Sequence, residues 1–431
     1  MTPQTLAEKI LSSHRVGGRV GSTRGDGPVR PGDLIEVAVD LVLANDITAP
    51  IAIREFEGLG VPTVFDPDAI VLVADHFTPN KDVASAEQVA IMRTFARDQS
   101  ISRFYDVGRA GIEHVLLHEL GLVIPGDVIV GADSHTCTAG AFGAFATGMG
   151  STDIAVAMAT GEAWMRVPET IRIDLHGEPG RWVGGKDLIL ETIGRLGVDG
   201  ATYEALEFGG ETVDRLSIEA RSTMANMAIE AGAKAGLFPA DRTTLAYLDG
   251  RTARAANELT ADEDASYARR LEIDVAAIEP LVALPHLPSN VRPVRDAGPI
   301  PIDQAVIGSC TNGRLDDLRV AAEVLRGRTV HPDVRCIVIP GSQQVQLDAV
   351  REGLVDVFLE AGAAVSTPTC GPCLGGHMGV LAAGERAIST TNRNFRGRIG
   401  SLDSEVILAG PAVAAASAVA GRLAHPEEVM T

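Results

Sequence analysis

The chain has 431 residues, too many for one hydrophobic core, so two to four domains are expected. Hydrophobic residues make up 45% and aromatics only 4%, which predicts Ala, Val, Ile and Leu cores in an α/β chain rich in glycine turns. A net charge of −20 excludes general binding to a nucleic-acid backbone, which needs a basic surface, but leaves room for a local arginine cluster that holds small anions.

In chain order, Leu6 to Leu11 reads as a short helix, and the N-terminus lacks the basic-then-apolar pattern of a signal peptide. No apolar run is long enough to span a bilayer. Five cysteines, an odd number spread through the chain, make no disulfide framework and point to a cytoplasmic protein with reduced thiols. Leu34 to Leu43 is predicted as one strand buried on both faces, followed by a polar turn at Asn45–Pro50 that leads into a helix. Ala69 to Ala74 is a second strand, closed by Asp75-His76. Polar residues at strand ends are where open α/β sheets gather their chemistry. A helix is expected over Glu87–Asp98, and a strand over Val128–Val130 that runs into Gly131-Ala132-Asp133-Ser134-His135-Thr136. The glycine-rich stretch Gly140 to Gly150 lacks the GK[ST] of a phosphate loop and reads as closely packed backbone. Ser151 or Thr152 is expected to cap the helix that follows.

A second region begins near Pro168 with a strand over Thr170–Leu175 and helices near Lys186–Leu196 and Arg221–Ala235. The acidic stretch Ala261–Asp264 reads as a solvated turn. Asn290 to Pro301, with three prolines, is the best linker in the chain. A third region alternates a strand at Ala305–Ile307, a helix at Asp316–Leu325, a strand at Val334–Ile339 and a helix at Val345–Glu352. Such alternation predicts parallel sheets built from βαβ units, in domains of 1–167, 168–292 and 293–431.

Two segments stand out for chemistry. Thr369-Cys370-Gly371-Pro372-Cys373 offers two thiols two residues apart, and Gly308-Ser309-Cys310-Thr311-Asn312 offers a third. A Cys-x-x-Cys pair alone also fits redox and zinc sites. Three thiolates suit an iron–sulfur cluster, and a count of three leaves one iron open to polarise a substrate oxygen. The glycines, proline and threonines around these cysteines predict loops, whereas Cys336 lies in an apolar strand and reads as core. Asp75-His76 can pair only if the chain turns there, because neighbours in a strand point to opposite faces. His118 follows His114 by one helical turn, a spacing that could imitate a metal pair, and reads as packing or surface. Asn392-Arg393-Asn394-Phe395-Arg396-Gly397-Arg398 carries three arginines, which suit the carboxylates of a small anion better than RNA in so acidic a chain.

The segments GSCTNGR at 308–314, CGPCLGGH at 370–377, GADSHTC at 131–137 and TNRNFRGR at 391–398 resemble the signatures of the aconitase superfamily, in order and from about Leu6 to the C-terminus. The resemblance implies an α/β fold of three α/β/α domains around a [4Fe–4S] cluster, without the fourth, swivelling domain of full-length aconitases. It makes Cys310, Cys370 and Cys373 the cluster ligands. His76, backed by Asp75, becomes the proton donor to a leaving hydroxyl, with His114–Asp133 and His135–Glu207 as further histidine–carboxylate pairs. Arg393 and Arg398, with Asn392 and Ser134, would bind substrate, while Arg396 lies outside the match. His377 could hydrogen-bond near the cluster, and Cys137 is given no ligand role. The implied partner is a small subunit carrying the swivelling domain and the catalytic base, so that this chain alone would be nearly inactive. The implied reaction is isomerisation of 2-isopropylmalate to 3-isopropylmalate by dehydration and rehydration in leucine synthesis. Homocitrate chemistry in lysine synthesis is the close alternative, and a dimethylmalate-type dehydratase, an RNA-binding iron sensor and a zinc-stabilised structural protein are more remote ones. Neither nucleic acid nor membrane is expected as a partner.

Overall fold

A computed structural model describes residues 2–17, 27–109 and 111–430. Three sheets organise it. The first has five parallel strands in the order Phe104–Tyr105, Ile70–Val73, Leu41–Asn45, Val128–Gly131, Phe145–Gly148. The second has four parallel strands, Ala235–Leu237, Ala205–Gly209, Thr170–His176 and Arg269–Asp274. The third has seven, in the order Val291–Pro293, Leu281–Ala283, Glu405–Ala409, Arg386–Ser389, Gln304–Ile307, Arg335–Val338, Ala364–Val365. Leu281–Ala283 runs antiparallel to both of its neighbours, and the other pairings are parallel. The central strands are buried on both faces, as helices on either side of a parallel sheet require.

Several sequence expectations change. The run from Leu34 to Leu43 divides into Leu34–Ala38 and Leu41–Asn45. Only the second enters the five-stranded sheet, because Leu34–Ala38 pairs antiparallel with Glu162–Arg166 in a separate ribbon. Gly150, not Ser151 or Thr152, occupies the cap position of the helix Ser151–Thr160. The expected linker contains the strand Val291–Pro293 and the short helix Val294–Ala297. Because Leu281–Ala283 and Val291–Pro293 both belong to the third sheet, we propose that the third domain begins near Pro280 rather than at 293.

One apolar cluster joins side chains of all three sheets, including Leu43 and Val73 from the first, Ile171 and Leu206 from the second, and Ala387 and Leu408 from the third. Burying this shared seam holds the sheets against one another and turns several carboxyl ends of their strands toward one place. Asn45 ends one such strand, Asp75 and Asp133 lie just beyond two more, and Cys310 and Asn392 follow strands of the third sheet. Among the described residues no helix is long and apolar enough to cross a membrane.

Candidate active site

The turn expected at Asp75-His76 exists, and Asp46 builds it. Its carboxylate accepts the backbone N–H groups of Asp75 (3.2 Å), His76 (2.9 Å) and Phe77 (2.8 Å). Freed from strand geometry, His76 Nδ1 comes to 2.6 Å from Asp75 Oδ1. The second Asp75 oxygen accepts the N–H of Glu113 at 2.8 Å. Burial opposes a charge on His76, but Cys370 and Asp75 outweigh it and hold the imidazole well above its ordinary pKa.

A second chain of histidines and carboxylates starts beside the first. His114 Nε2 lies 2.9 Å from Asp133 Oδ1, which also accepts the His135 backbone N–H at 2.7 Å and sits 3.4 Å from His135 Nδ1. Burial alone would raise the pKa of Asp133, yet its bonds to His114 and His135 hold it well below the usual carboxylate range. His135 Nε2 then meets Glu230 Oε1 at 3.1 Å. Glu230 in turn accepts Arg393 Nε at 2.7 Å, and Arg393 Nη2 donates to Ser134 Oγ at 3.0 Å. Burial works against the charge on both His135 and Glu230, but each sustains the other, so His135 is raised and Glu230 lowered.

Glu230 therefore replaces Glu207 as the carboxylate of His135. Glu207 accepts the Leu6 N–H (2.9 Å), Arg172 Nη1 (2.8 Å) and the Tyr267 hydroxyl (2.5 Å), in a different part of the second sheet. The only hint of Glu230 in the sequence is an acid placed in an otherwise apolar stretch, Met227–Ala233.

The two cysteine segments converge on the same place. Asn392 spans two of the sulfurs: its Nδ2 lies 3.4 Å from Cys310 Sγ and its Oδ1 accepts from Cys373 Sγ at 3.6 Å. Cys370 Sγ lies 3.9 Å from Asp75 Oδ2, and Arg398 Nη2 lies 3.7 Å from Cys373 Sγ. The buried Arg314 ties Cys310 to the first sheet, donating to the carbonyls of Cys310 (2.7 Å) and His114 (3.1 Å). All five cysteines of the chain are free and buried. Burial lifts the Cys310 thiol to about 12, with Cys373 nearby adding to the shift, so an inorganic centre would be needed to favour thiolates here.

These groups line a cavity of about 230 Å³, walled by Asn45, Asp75, His76, Glu113, His114, Asp133, Ser134, His135, the three cysteines, Asn392, Arg393 and Arg398 among others. Larger cavities, of about 450 Å³ beside Trp164 and about 740 Å³ beside Phe56, gather no comparable set of ionisable groups. Buried polar atoms without a protein partner include Glu113 Oε2, His114 Nδ1, Glu230 Oε2 and Arg398 Nε, all on side chains in or next to this cavity. Such atoms are expected where a ligand completes the site. Thiols that meet across one cavity, beside a di-cationic pair and unpaired polar atoms, fit a sulfur-ligated cluster with an anionic substrate.

The other residues singled out in the sequence have local partners. His118 packs on Phe142 with ring centroids 4.4 Å apart, and Arg396 is exposed and bonded to Leu402 and Asp403. Cys137 sits with its thiol 3.4 Å from the Asn226 carbonyl oxygen and 3.7 Å from that of Ser134, a neutral donor kept protonated by burial. His377 meets Thr369 Oγ1 at 3.4 Å in the cysteine loop. The acidic stretch is more than a solvated turn: Asp262 accepts the Gln4 N–H at 2.8 Å and pairs with Lys9 at 2.6 Å, docking the N-terminal helix.

A family model described as "Aconitase family (aconitate hydratase)" matches residues 8–300 and 296–421. The chain belongs to the aconitase family. Relatives named "3-isopropylmalate dehydratase large subunit" match over 99% of both chains: one from Moorella thermoacetica is 63% identical, and ones from Halothermothrix orenii and Acetivibrio thermocellus are each 58% identical. A crystal structure of Thermococcus kodakaraensis aconitase X in its holo form shares the fold, with a TM-score of 0.50 at 13% identity over 83% of this chain and 84% of that one. Aconitase-family membership implies an iron–sulfur cluster, and buried cysteines line the cavity.

Proposed function

We propose that this chain is the large subunit of a 3-isopropylmalate dehydratase, a hydro-lyase that isomerises 2-isopropylmalate to 3-isopropylmalate by dehydration and rehydration in leucine synthesis. The observation that carries the substrate is the 63% identity over 99% of both chains to a relative of that name. Cys310, Cys370 and Cys373 are assigned as the ligands of a [4Fe–4S] cluster that has one iron free of protein. When bound, such a cluster supplies a Lewis acid for the substrate hydroxyl.

The chain's own residues do the rest. Arg393 and Arg398 hold the two carboxylates of the substrate, with Ser134 fixing the orientation of Arg393. Arg393 is also braced by Glu230, so its guanidinium is aimed before substrate arrives. His76 carries the proton for the departing hydroxyl. The 2.6 Å contact with Asp75 fixes its Nδ1–H, leaving Nε2 as the atom that gives and retakes the proton. Asn392 keeps two cysteine sulfurs in register. The proton on the adjacent carbon goes to a base that we assign to a small-subunit partner, as the relatives' "large subunit" name suggests.

The test is an anaerobic assay of the cluster-reconstituted chain with its small subunit, following the unsaturated intermediate by ultraviolet absorbance. Strong preference for 2-isopropylmalate over homocitrate is expected. Preference for homocitrate would transfer the enzyme to lysine synthesis, and turnover of neither by protein with an intact cluster would overturn the substrate assignment.

A further inference from the structure

Lys186 is the one lysine among the described residues that is buried, with 1% of its surface exposed, and nothing in the proposed chemistry uses it. It opens the helix Gly185–Leu196 and extends its ammonium toward the active site. Nζ donates to the backbone carbonyls of Thr390 and Thr391, both at 2.8 Å, and rests 3.3 Å from Met227 Sδ. Thr390 and Thr391 immediately precede Asn392 and Arg393. Met227 begins the short turn Met227–Ala231 that carries Glu230. The Thr390 carbonyl also accepts Thr311 Oγ1 at 2.6 Å, and Thr390 Oγ1 bonds to the backbone of Gly308, so the same turn fixes the segment holding Cys310.

We propose that Lys186 is a positioning residue for the cluster and substrate side of the cavity, orienting Asn392 and Arg393 through the Thr390–Thr391 carbonyls and setting a positive charge beneath the cysteine sulfurs. No carboxylate forms an ion pair with it among the described residues, although Asp187, Glu230 and Asp317 lie near enough to act on it. An isolated ammonium is costly to bury, and hydrogen bonds to two carbonyls offset only part of that cost. Bound thiolates would supply the missing negative charge. In keeping with this, burial brings the Lys186 pKa down to about 8 while Cys310 is first among the groups that resist the shift.

The inference rests on the cluster reading, so wild-type protein is reconstituted in parallel with Lys186→Met, which removes charge and donors, and Lys186→Gln, which keeps a donor but no charge. Each is examined for melting temperature, iron and sulfide content, reduction potential of the bound cluster, and KM with the small subunit present. A cluster stabilised by a nearby cation is easier to reduce, so both variants should show a lower potential. Lys186→Met should also raise KM about tenfold, the scale of one lost charge-assisted contact, while Lys186→Gln recovers much of that loss without recovering the potential. Wild-type potential and KM in variants that differ only in melting temperature would overturn the proposal, as would failure of both variants to fold, since Lys186 would then be a packing residue. Absence of a cluster from wild-type protein would instead sink the cluster reading itself.

Discussion

A carboxylate that supports a charged imidazole must be close, dry and itself held in place. Glu230 lies 3.1 Å from His135 Nε2, is 3% exposed, and is fixed from its other side by Arg393. Glu230→Gln removes the charge but not the shape, and turnover is expected to fall about 10²-fold, the lower end of what a positioned acid–base group contributes. Glu207→Gln should leave turnover essentially unchanged and instead lower the free energy of unfolding by about 1–3 kcal/mol, because Arg172 and Tyr267 lose a charged partner. Steady-state kinetics and urea denaturation on the two variants separate these roles. The family resemblance pointed to Glu207 on a short local match, with Glu204 nearby. A local match gives a position but not the direction of the side chain, and only tertiary packing sends Glu207 toward Leu6 and Glu230 toward the cavity. The same network sets a pH dependence. His135 titrates above its ordinary value in the folded chain, so its stabilisation is full below about pH 6.5 and fades as the pH rises through that raised value. Asp133 is depressed, so its contribution is present above about pH 4 and fades as the pH falls through its lowered value. His135→Asn should flatten the alkaline decline in denaturation midpoint while leaving an acid-side loss. An unchanged alkaline decline would place its origin elsewhere.

The elements that carry these residues were legible wherever local pattern decides structure. Helices such as Leu315–Leu325 and strands such as Thr170–His176 fall within a residue or so of where apolar spacing and Gly or Pro punctuation put them. The glycine stretch was read as close backbone packing, and a Cβ on Gly140 would stand 2.0 Å from the Gly236 carbonyl oxygen. Pairing between distant strands was not legible. Val291–Pro293 looked like linker because the stretch Asn290–Pro301 is rich in proline, yet an edge strand tolerates its single proline, and it pairs with Leu281–Ala283. The expected helix Arg221–Ala235 breaks into Ile218–Asn226, the tight turn Met227–Ala231 and the strand Ala235–Leu237. One buried ion pair holds this broken element. Arg221, with a fully buried side chain, bonds Asp241 through Nη1 at 3.0 Å and Nη2 at 2.7 Å. Asp241→Asn would leave Arg221 charged and only partly bonded, and about 3 kcal/mol of stability should be lost. Urea denaturation of the cluster-free chain measures this directly. A loss below about 1 kcal/mol would mean that the Val213 carbonyl and Thr244 suffice for the guanidinium.

At the scale of the molecule, the cavity is assembled from loops that follow strands of separate sheets, and no single region contains it. The first sheet supplies the histidines and most carboxylates, the second region supplies Glu230 and Lys186 as supports, and the third supplies the sulfurs and arginines. The chain carries a net charge of −20 while two arginines line this cavity, so on the proposed reading a dianion would bind by local complementarity within an acidic chain. What the chain encloses is small. Sites that surround an organic ligand run to about 300–1,000 Å³, whereas this cavity is about 230 Å³ and would have to admit a cluster as well as a malate derivative. Part of the substrate would then project beyond these walls, into contact with the small subunit. The reconstituted chain alone is therefore expected to turn over 2-isopropylmalate at less than about a hundredth of the rate of the two-subunit enzyme, the factor assigned to loss of a general base. Titrating the small subunit into the chain at fixed substrate should raise the rate to saturation at a stoichiometric ratio. Full activity in its absence would mean that the base lies among the residues of this chain, with Glu113, whose Oε2 has no partner, the first to substitute.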